Sequence, residues 1–273
     1  MKKLVCFVLA ASLIMAMLFG CAPQAAEEKT KLEQIREAGE LVVGTSPDYP
    51  PYEFIIPAED GSESYVGIDI DIAKRIAADI GVELKIEAMD FDGLDSALQM
   101  GVIDMIMAAY NATEERAEVM DFSDVYYIDE VCAFTLADNA ASYTDLNSFA
   151  GKKVGVQLGS TLETDYFPMM EGAEKVALKK IPQLITELKA GSLDAIIVEK
   201  PIAESYIQNN PDLAITSVVF NDGASGYVVG LPKGAEDLQA SINETIKKLI
   251  DADEISGFAE TAQEIQDQAI LPE

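Results

Sequence analysis

Residues 69–86, DIDIAKRIAADIGVELKI, carry two hydrophobic periodicities in succession. The apolar residues before Gly81 recur at the spacing of an amphipathic helix, and a glycine is a common helix stop. After Gly81, the apolar residues Val82, Leu84 and Ile86 alternate with charged residues, as on a strand. The stretch therefore predicts a helix that is followed directly by a strand.

This alternation of strands and helices continues on both sides of the stretch. Further strands are predicted at 41–44, 103–109, 153–157, 176–178 and 194–198, and further helices at 94–98, 161–170 and 185–190. Strands that alternate with helices through short turns form parallel sheets covered by helices on both faces. The predicted fold class is α/β.

The pattern is too long for one compact sheet, yet no flexible linker divides it. Two extended apolar stretches, 131–136 and 217–229, are predicted to carry the chain between two lobes, with crossings near 128–133 and 220–228. Composition alone does not establish this division. The predicted bounds are 40–128 plus 228–273 for lobe 1 and 133–220 for lobe 2.

The amino terminus has the layout of a secretory signal. A short basic region, Lys2-Lys3, precedes an uncharged apolar run that is slightly short for a membrane span. The run closes on LFGC at residues 18–21, which resembles the lipobox of bacterial lipoproteins. We expect a signal peptide over 1–20, a lipidated Cys21 that anchors the protein to the cell membrane, and a polar tether over 21–39.

The charge and the residue types exclude several classes of function. A net charge of −29 argues against binding to nucleic acid or to an anionic membrane surface, because both need clustered Lys and Arg. The absence of histidine removes the Ser-His triads and the usual zinc sites, and no P-loop pattern is present. Once Cys21 is lipidated, Cys132 alone remains in the folded body, which is too few for a thiolate metal cluster. We therefore expect no catalytic residue, no metal and no cofactor.

Several segments, in this order, resemble the amino-acid branch of the bacterial extracellular solute-binding proteins, the receptors of ABC importers. They cover roughly residues 41–231: VGTSPDYPPYEF at 43–54, GIDIDIA at 67–73, MDFDGL at 89–94, TEER at 113–116 with DFSDVYY at 121–127, GVQLGST at 155–161 and LDAIIVEKP at 193–201. The resemblance implies the type II periplasmic-binding-protein fold, in which two lobes, each a sheet flanked by helices, are joined by two hinge crossings.

The resemblance also implies a site for the carboxylate of a free amino acid. Arg116 matches the family arginine that grips this carboxylate, and its fork suits two parallel hydrogen bonds. Asn111 stands near the same carboxylate, and Thr161, with the N–H groups of Gly159 to Thr161, would hold its other side. The alternative for Arg116 is a surface ion pair with an acidic neighbour.

The remaining site residues implied by the resemblance surround the ligand's ammonium and side chain. Glu199 stands where the family usually has an Asp that faces the ammonium, and the carbonyl of Ala109 is a second acceptor. The alternative for Glu199 is a surface pair with Lys200. Aromatic side chains that enclose the ligand, and positions that tune its choice, complete the set: Tyr49 and Phe91, and Ser46 and Gln157.

We therefore expect a monomeric receptor, not an enzyme, that captures a free amino acid, polar or basic, and delivers it to the permease subunits of an ABC importer. Two alternatives remain open at this point. The fold resembles that of extracytoplasmic cyclohexadienyl-type dehydratases, and the chain could be a sensory binding module.

Overall fold

The computed structural model of the protein describes residues 29–57, 62–220 and 226–268. The expected signal peptide and Cys21 lie outside these residues. The strands along the chain are β1 (Glu40–Thr45), β2 (Asp48–Tyr49), β3 (Glu53–Pro57), β4 (Glu63–Val66), β5 (Glu83–Ala88), β6 (Met105–Ile106), β7 (Met120–Phe122), β8 (Tyr127–Ile128), β9 (Val131–Leu136), β10 (Lys153–Gln157), β11 (Glu174–Leu178), β12 (Ala195–Glu199), β13 (Leu213–Ile215), β14 (Gly226–Tyr227) and β15 (Gly230–Pro232).

The helices cover the sheets and include most of the predicted ones. They are α1 (Lys31–Ala38), α2 (Ile68–Ile80), α3 (Leu94–Gln99), α4 (Glu114–Val119), α5 (Ile181–Lys189), α6 (Lys200–Asn209), α7 (Glu236–Asp251) and α8 (Glu254–Gln268). The stretch that opened the analysis forms α2 and β5, as its periodicities predict.

Two five-stranded sheets share one topology. The first has the order β5-β1-β6-β15-β7 and the second has the order β11-β10-β12-β9-β13. In each sheet the first strands are parallel, with Val43 paired to Ile86 in one and Gly155 paired to Val176 in the other. The fourth strand of each sheet runs antiparallel and comes from a segment that follows a crossing.

Both faces of each sheet are covered, as the near-continuous apolar strands predict. Along β6 and beyond it, Met105 and Met107 belong to the buried cluster that contains α2, whereas Ile106 and Ala108 belong to the cluster that contains α3. The side chains of β12 divide between two clusters in the same way. Because successive strand residues point to opposite faces, this division places helices on both sides of the sheet.

The two crossings lie side by side. Strands β8 and β14 pair antiparallel, with Tyr127 opposite Tyr227 and Ile128 opposite Gly226. The two-lobed α/β fold is thereby confirmed, while the predicted lobe bounds, 40–128 plus 228–273 and 133–220, stay a prediction. Within the described residues, no helix combines the length and the apolar character that a membrane span requires.

The structure corrects the predicted tether and one predicted helix. Residues 31–38 form α1, not a tether, and Leu32 and Ile35 are buried in the core on one side of this otherwise charged helix. Between 161 and 170 the chain forms one π turn, Leu162–Tyr166, and one 3₁₀ turn, Phe167–Met169. Pro168 lacks an N–H donor, so a regular helix cannot run through this segment.

The glycines at the two ends of α2 give a prediction for stability. At Gly67 φ is +125°, and a Cβ would lie 2.2 Å from the carbonyl oxygen of Tyr52. At Gly81 φ is +88°, and no atom lies within 4 Å of the Cβ position. Gly67→Ala should lower the free energy of unfolding by about 3 kcal/mol or more, and Gly81→Ala by only about 1 kcal/mol. Urea unfolding of both variants checks this, and equal losses would contradict the role given to the Tyr52 contact.

Candidate functional site

The candidate site lies where the central parallel strands of both sheets end. The chain leaves β1 toward Tyr49, β6 toward Asn111 and β10 toward Thr161, and β12 ends at Glu199. The carboxyl ends of strands are where open α/β sheets bind their ligands. A small cavity at this place is lined by Tyr49, Phe91, Ala108, Ala109, Asn111, Gln157, Ser160, Thr161, Leu162 and Glu199.

The structure brings most of the predicted site residues together around this cavity. Ser46 and Arg116 do not line it. Ser46 is buried, and its hydroxyl donates to Asp48 Oδ1 at 3.0 Å. Gln157 does line the cavity, and its amide donates to the carbonyl of Lys179 at 3.4 Å.

Arg116 lies immediately beside the cavity and is only 8% exposed. Its Nη1 donates to the carbonyl of Asn111 at 2.8 Å and its Nη2 to the carbonyl of Gly159 at 3.0 Å. These acceptors follow strands of different sheets, so the guanidinium joins the two lobes. Its Cζ lies 4.0 Å from the ring centroid of Tyr110, a cation–π contact, and Asp95 lies 3.6 Å from its Nε. The position of Arg116 is thus a buried one between the lobes.

A short helix sets the position of Arg116. Thr113 is the N-cap of α4, and its hydroxyl accepts from the backbone N–H of Arg116 at 3.1 Å. A Thr three residues before the capped N–H is a common helix start. The TEER sequence therefore fixes the first turn of α4 and with it the direction of the arginine side chain.

A second contact between the lobes joins Thr161 to Asn111. The Thr161 hydroxyl donates to Asn111 Oδ1 at 3.0 Å. Two of the N–H groups expected to face a carboxylate are used within their own loop, because Gly159 donates to Glu163 Oε2 at 2.8 Å and Ser160 donates to the carbonyl of Gln157 at 3.3 Å. These two groups thus have partners within the protein, and the expectation that the N–H groups of Gly159 to Thr161 face a ligand stays a prediction.

Glu199 is buried and faces Tyr49 of the other lobe. The Tyr49 hydroxyl donates to Glu199 Oε2. Lys200 instead pairs with Glu204, with 4.0 Å between Lys200 Nζ and Glu204 Oε1. Burial raises the pKa of the Glu199 carboxyl, and the hydrogen bond from Tyr49 offsets part of that rise. A surface pair with Lys200, the alternative from the sequence, is not what the structure contains.

Further carboxyl groups, most of them buried, lie around Tyr49, where the sequence analysis assigned only Glu199 to the site. Asp48, Glu53 and Glu199 all act on Tyr49 electrostatically, and Asp69 lies next to Glu53. Burial raises the pKa of all four carboxyl groups. The pKa of Glu53 lies well above its ordinary value, and that of Asp69 is about 7. At Asp48 the nearby positive charge of Lys180 offsets part of the rise. One signal was available: Glu53 sits among apolar and aromatic residues in YPPYEF.

Lobe 2 also meets lobe 1 through the segment that begins α5. Asp48 Oδ2 accepts from the backbone N–H of Ile181 at 2.8 Å, at the helix N-terminus, where a carboxylate is favourable. Lys179 Nζ of lobe 2 lies 3.2 Å from Asp90 Oδ2 and 3.3 Å from Asp92 Oδ2 of lobe 1. With the contacts of Arg116, Thr161 and Glu199, these bonds hold the cleft closed.

Comparisons with known proteins agree with this arrangement. The pattern of the Bacterial extracellular solute-binding proteins, family 3, matches residues 41–261. A probable histidine-binding protein of Campylobacter jejuni is 33% identical over 81% of this chain and 82% of its own length. The arginine-binding extracellular protein ArtP of Bacillus subtilis is 32% identical over 79% of this chain and 82% of its own length.

A solved structure is similar over most of the chain. The amino acid ABC transporter substrate-binding protein AbpA from Streptococcus pneumoniae, bound to L-arginine, superimposes with a TM-score of 0.83 and 37% identity. The alignment covers 86% of this chain and 98% of that chain.

Proposed function

The chain belongs to family 3 of the bacterial extracellular solute-binding proteins, and we propose on that premise that its ligand is a cationic amino acid, with arginine the first candidate. It works outside the cytoplasm and captures an amino acid for import by an ABC transporter. The separation of charge within the cleft supports the proposal. The buried cation Arg116 lies beside Asn111 and Tyr110, while buried carboxyl groups lie around Tyr49.

Arg116 is the proposed partner of the ligand's carboxylate. Its guanidinium already holds two backbone carbonyls, so its donors are aimed into the space between Asn111 and Gly159. A carboxylate is a stronger acceptor than a carbonyl and takes both guanidinium donors in parallel. Thr161 and Asn111, which are joined by a hydrogen bond, would flank the same group.

Glu199 is the proposed partner of the ligand's ammonium, together with the carbonyl of Ala109. The ligand's α-ammonium balances the charge of the Glu199 carboxylate. The carboxyl groups of Glu53 and Asp48 also lie close to Tyr49. A second positive charge on the ligand's side chain, placed against Tyr49 and Phe91, would gain from this excess and from the cation–π attraction of the rings. The arginine- and histidine-binding proteins among the relatives are consistent with such a ligand.

We propose a binding function without turnover. The relatives are named as binding proteins rather than as enzymes. A test for turnover of prephenate or arogenate separates this reading from a dehydratase on the same fold. One copy of the chain supplies both sides of the cleft, so we also propose that it acts as a monomer that docks on the permease subunits.

A thermal-shift screen against the common amino acids tests the choice of ligand. Arginine should raise the melting temperature most, with lysine, ornithine and histidine next, because these side chains place a positive charge near the carboxyl groups. A ligand at 100 times its dissociation constant adds about 2.7 kcal/mol of stability. Citrulline, which has nearly the shape of arginine but no side-chain charge, is the matched control. Equal shifts with citrulline and arginine would contradict the cationic preference.

Replacement of Arg116 tests the proposed carboxylate contact. Arg116→Ala should weaken binding by about 2–5 kcal/mol, or roughly thirty-fold to several thousand-fold. Arg116→Lys should recover part of this loss, because an ammonium cannot supply the bidentate geometry. Calorimetric titration measures the loss. Arg75→Ala, which removes an arginine that pairs with Glu254 at the surface, is the control and should bind as the unchanged protein does. Unchanged affinity in Arg116→Ala would refute the assignment.

We also propose that the chain is held at the membrane by a lipid on Cys21. Cys21→Ser should release the protein into the soluble fraction, because the acyl chains would hold it at the membrane and no helix of the described residues could span one. Cys6→Ser, in the part of the signal that is removed, should leave the protein in the membrane fraction. Labelling with a radioactive fatty acid provides the second readout. A wild-type protein that takes up no label would show that the proposal is wrong.

A further inference from the structure

A backbone turn at Ala109 lies under the proposed ammonium site and is held from below by a side chain. Ala109 has φ +45°, a left-handed conformation that a residue with a Cβ adopts only when its surroundings hold it there. Its N–H donates to Asp69 Oδ2 at 2.8 Å. Ala109 lines the cavity, while Asp69, in the first turn of α2, is completely buried beneath it.

Asp69 is itself held by the hydroxyl of Tyr126, which donates at 2.8 Å. The other side of Asp69 faces Glu53 of β3, which is also buried. Among the described residues, no N–H or O–H donor reaches Glu53 Oε2. Two adjacent carboxylates in a dry interior repel each other, and a single proton between them converts the repulsion into a hydrogen bond.

We propose that Glu53 and Asp69 share one proton, with Glu53 as the donor and Asp69 as the accepting carboxylate, and that Asp69 thereby positions Ala109 for the ligand. The direction follows from the partners. Asp69 accepts from both Ala109 and Tyr126, so it needs its lone pairs, whereas among the described residues no donor reaches Glu53 Oε2. Asp69 is a positioning residue that does not touch the ligand. The ligand part of the inference rests on the proposed function.

The shared proton should make the folded protein more stable at low pH than at high pH. The groups that face the pair are the Tyr126 hydroxyl and, beyond Glu53, the carboxyl groups of Asp48 and Glu199. The pKa values of Glu53 and Asp69 are raised by burial, that of Asp69 to about 7. A carboxyl whose folded-state pKa is raised contributes stability below its ordinary pKa and loses it as the pH rises through the raised value. The stability contributed by the proton on Glu53 should therefore decline as the pH rises above the ordinary carboxyl pKa of about 4.

Conservative variants test both the direction of the proton and the positioning. Glu53→Gln places a permanent N–H donor against Asp69, so it should bind arginine within about threefold of the unchanged protein, whereas Glu53→Leu and Asp69→Asn should each weaken binding by about tenfold or more. The melting temperature of unliganded Glu53→Gln should depend less on pH between 5 and 8. The control is Asp71→Asn, two residues further along α2, where the side chain pairs with Lys74 at the surface; it should change neither property.

Two further measurements keep the test independent of the ligand and of folding defects. Exchange of the Ala109 amide hydrogen should be slow in the unchanged protein and faster in Asp69→Asn, and this holds whether or not an amino acid binds. Ala109→Gly, which removes the cost of the left-handed conformation, should restore part of the affinity lost in Asp69→Asn. Unchanged amide exchange in Asp69→Asn, or a Glu53→Gln variant as weak as Glu53→Leu, would overturn the proposal. If the unchanged protein binds no amino acid but the exchange result holds, the proposed function fails and the positioning stands.

Discussion

A guanidinium in the interior needs acceptors, because an unpaired buried charge is far more costly than an unpaired charge in water. Arg116 takes one acceptor from each lobe, and the fold is arranged so that both are present only when the lobes meet. The rings of Tyr110 and Phe91 shield it from water. Much of the site follows from this requirement: the capped turn of α4 that aims the side chain, the loop after β10 that approaches it, and the Asp95 carboxylate beside Nε.

The carboxyl groups of the cleft lie apart from Arg116, and each of them has its own hydrogen-bond donors. Asp48 uses the N-terminus of α5, Glu199 uses the Tyr49 hydroxyl, and Asp69 uses a backbone amide and a tyrosine. Almost every one of these partners lies far along the chain from the carboxyl group it serves. The acidic composition of the protein thus has two origins, a solvated exterior and a set of buried groups with dedicated donors.

Local patterns in the sequence predicted the α/β fold, because helix and strand periodicities are local properties. Residues 69–86 form α2 and β5, and the strand ends that carry Tyr49, Asn111 and Thr161 do meet. The buried carboxyl groups could not be predicted in this way. Asp69 meets Ala109 across a separation of 40 residues, and nothing near Asp69 distinguishes it from the half-buried Asp71 two positions on. The same non-local packing hides α1, whose two buried residues are too few to give a clear period.

The paired crossings β8 and β14 determine how the two lobes can move relative to each other. If a single extended strand joined the lobes, rotation about one backbone bond would be enough to turn one lobe relative to the other. Two strands bonded side by side resist torsion and still bend across their width, which leaves the molecule close to one mechanical degree of freedom. Asn111, which lines the cleft, forms an antiparallel β-bridge with Tyr227 of β14. One wall of the cleft therefore begins directly at the paired crossing strands. Bending across this ribbon would change the separation of the two walls of the cleft, with little rotation of one wall past the other.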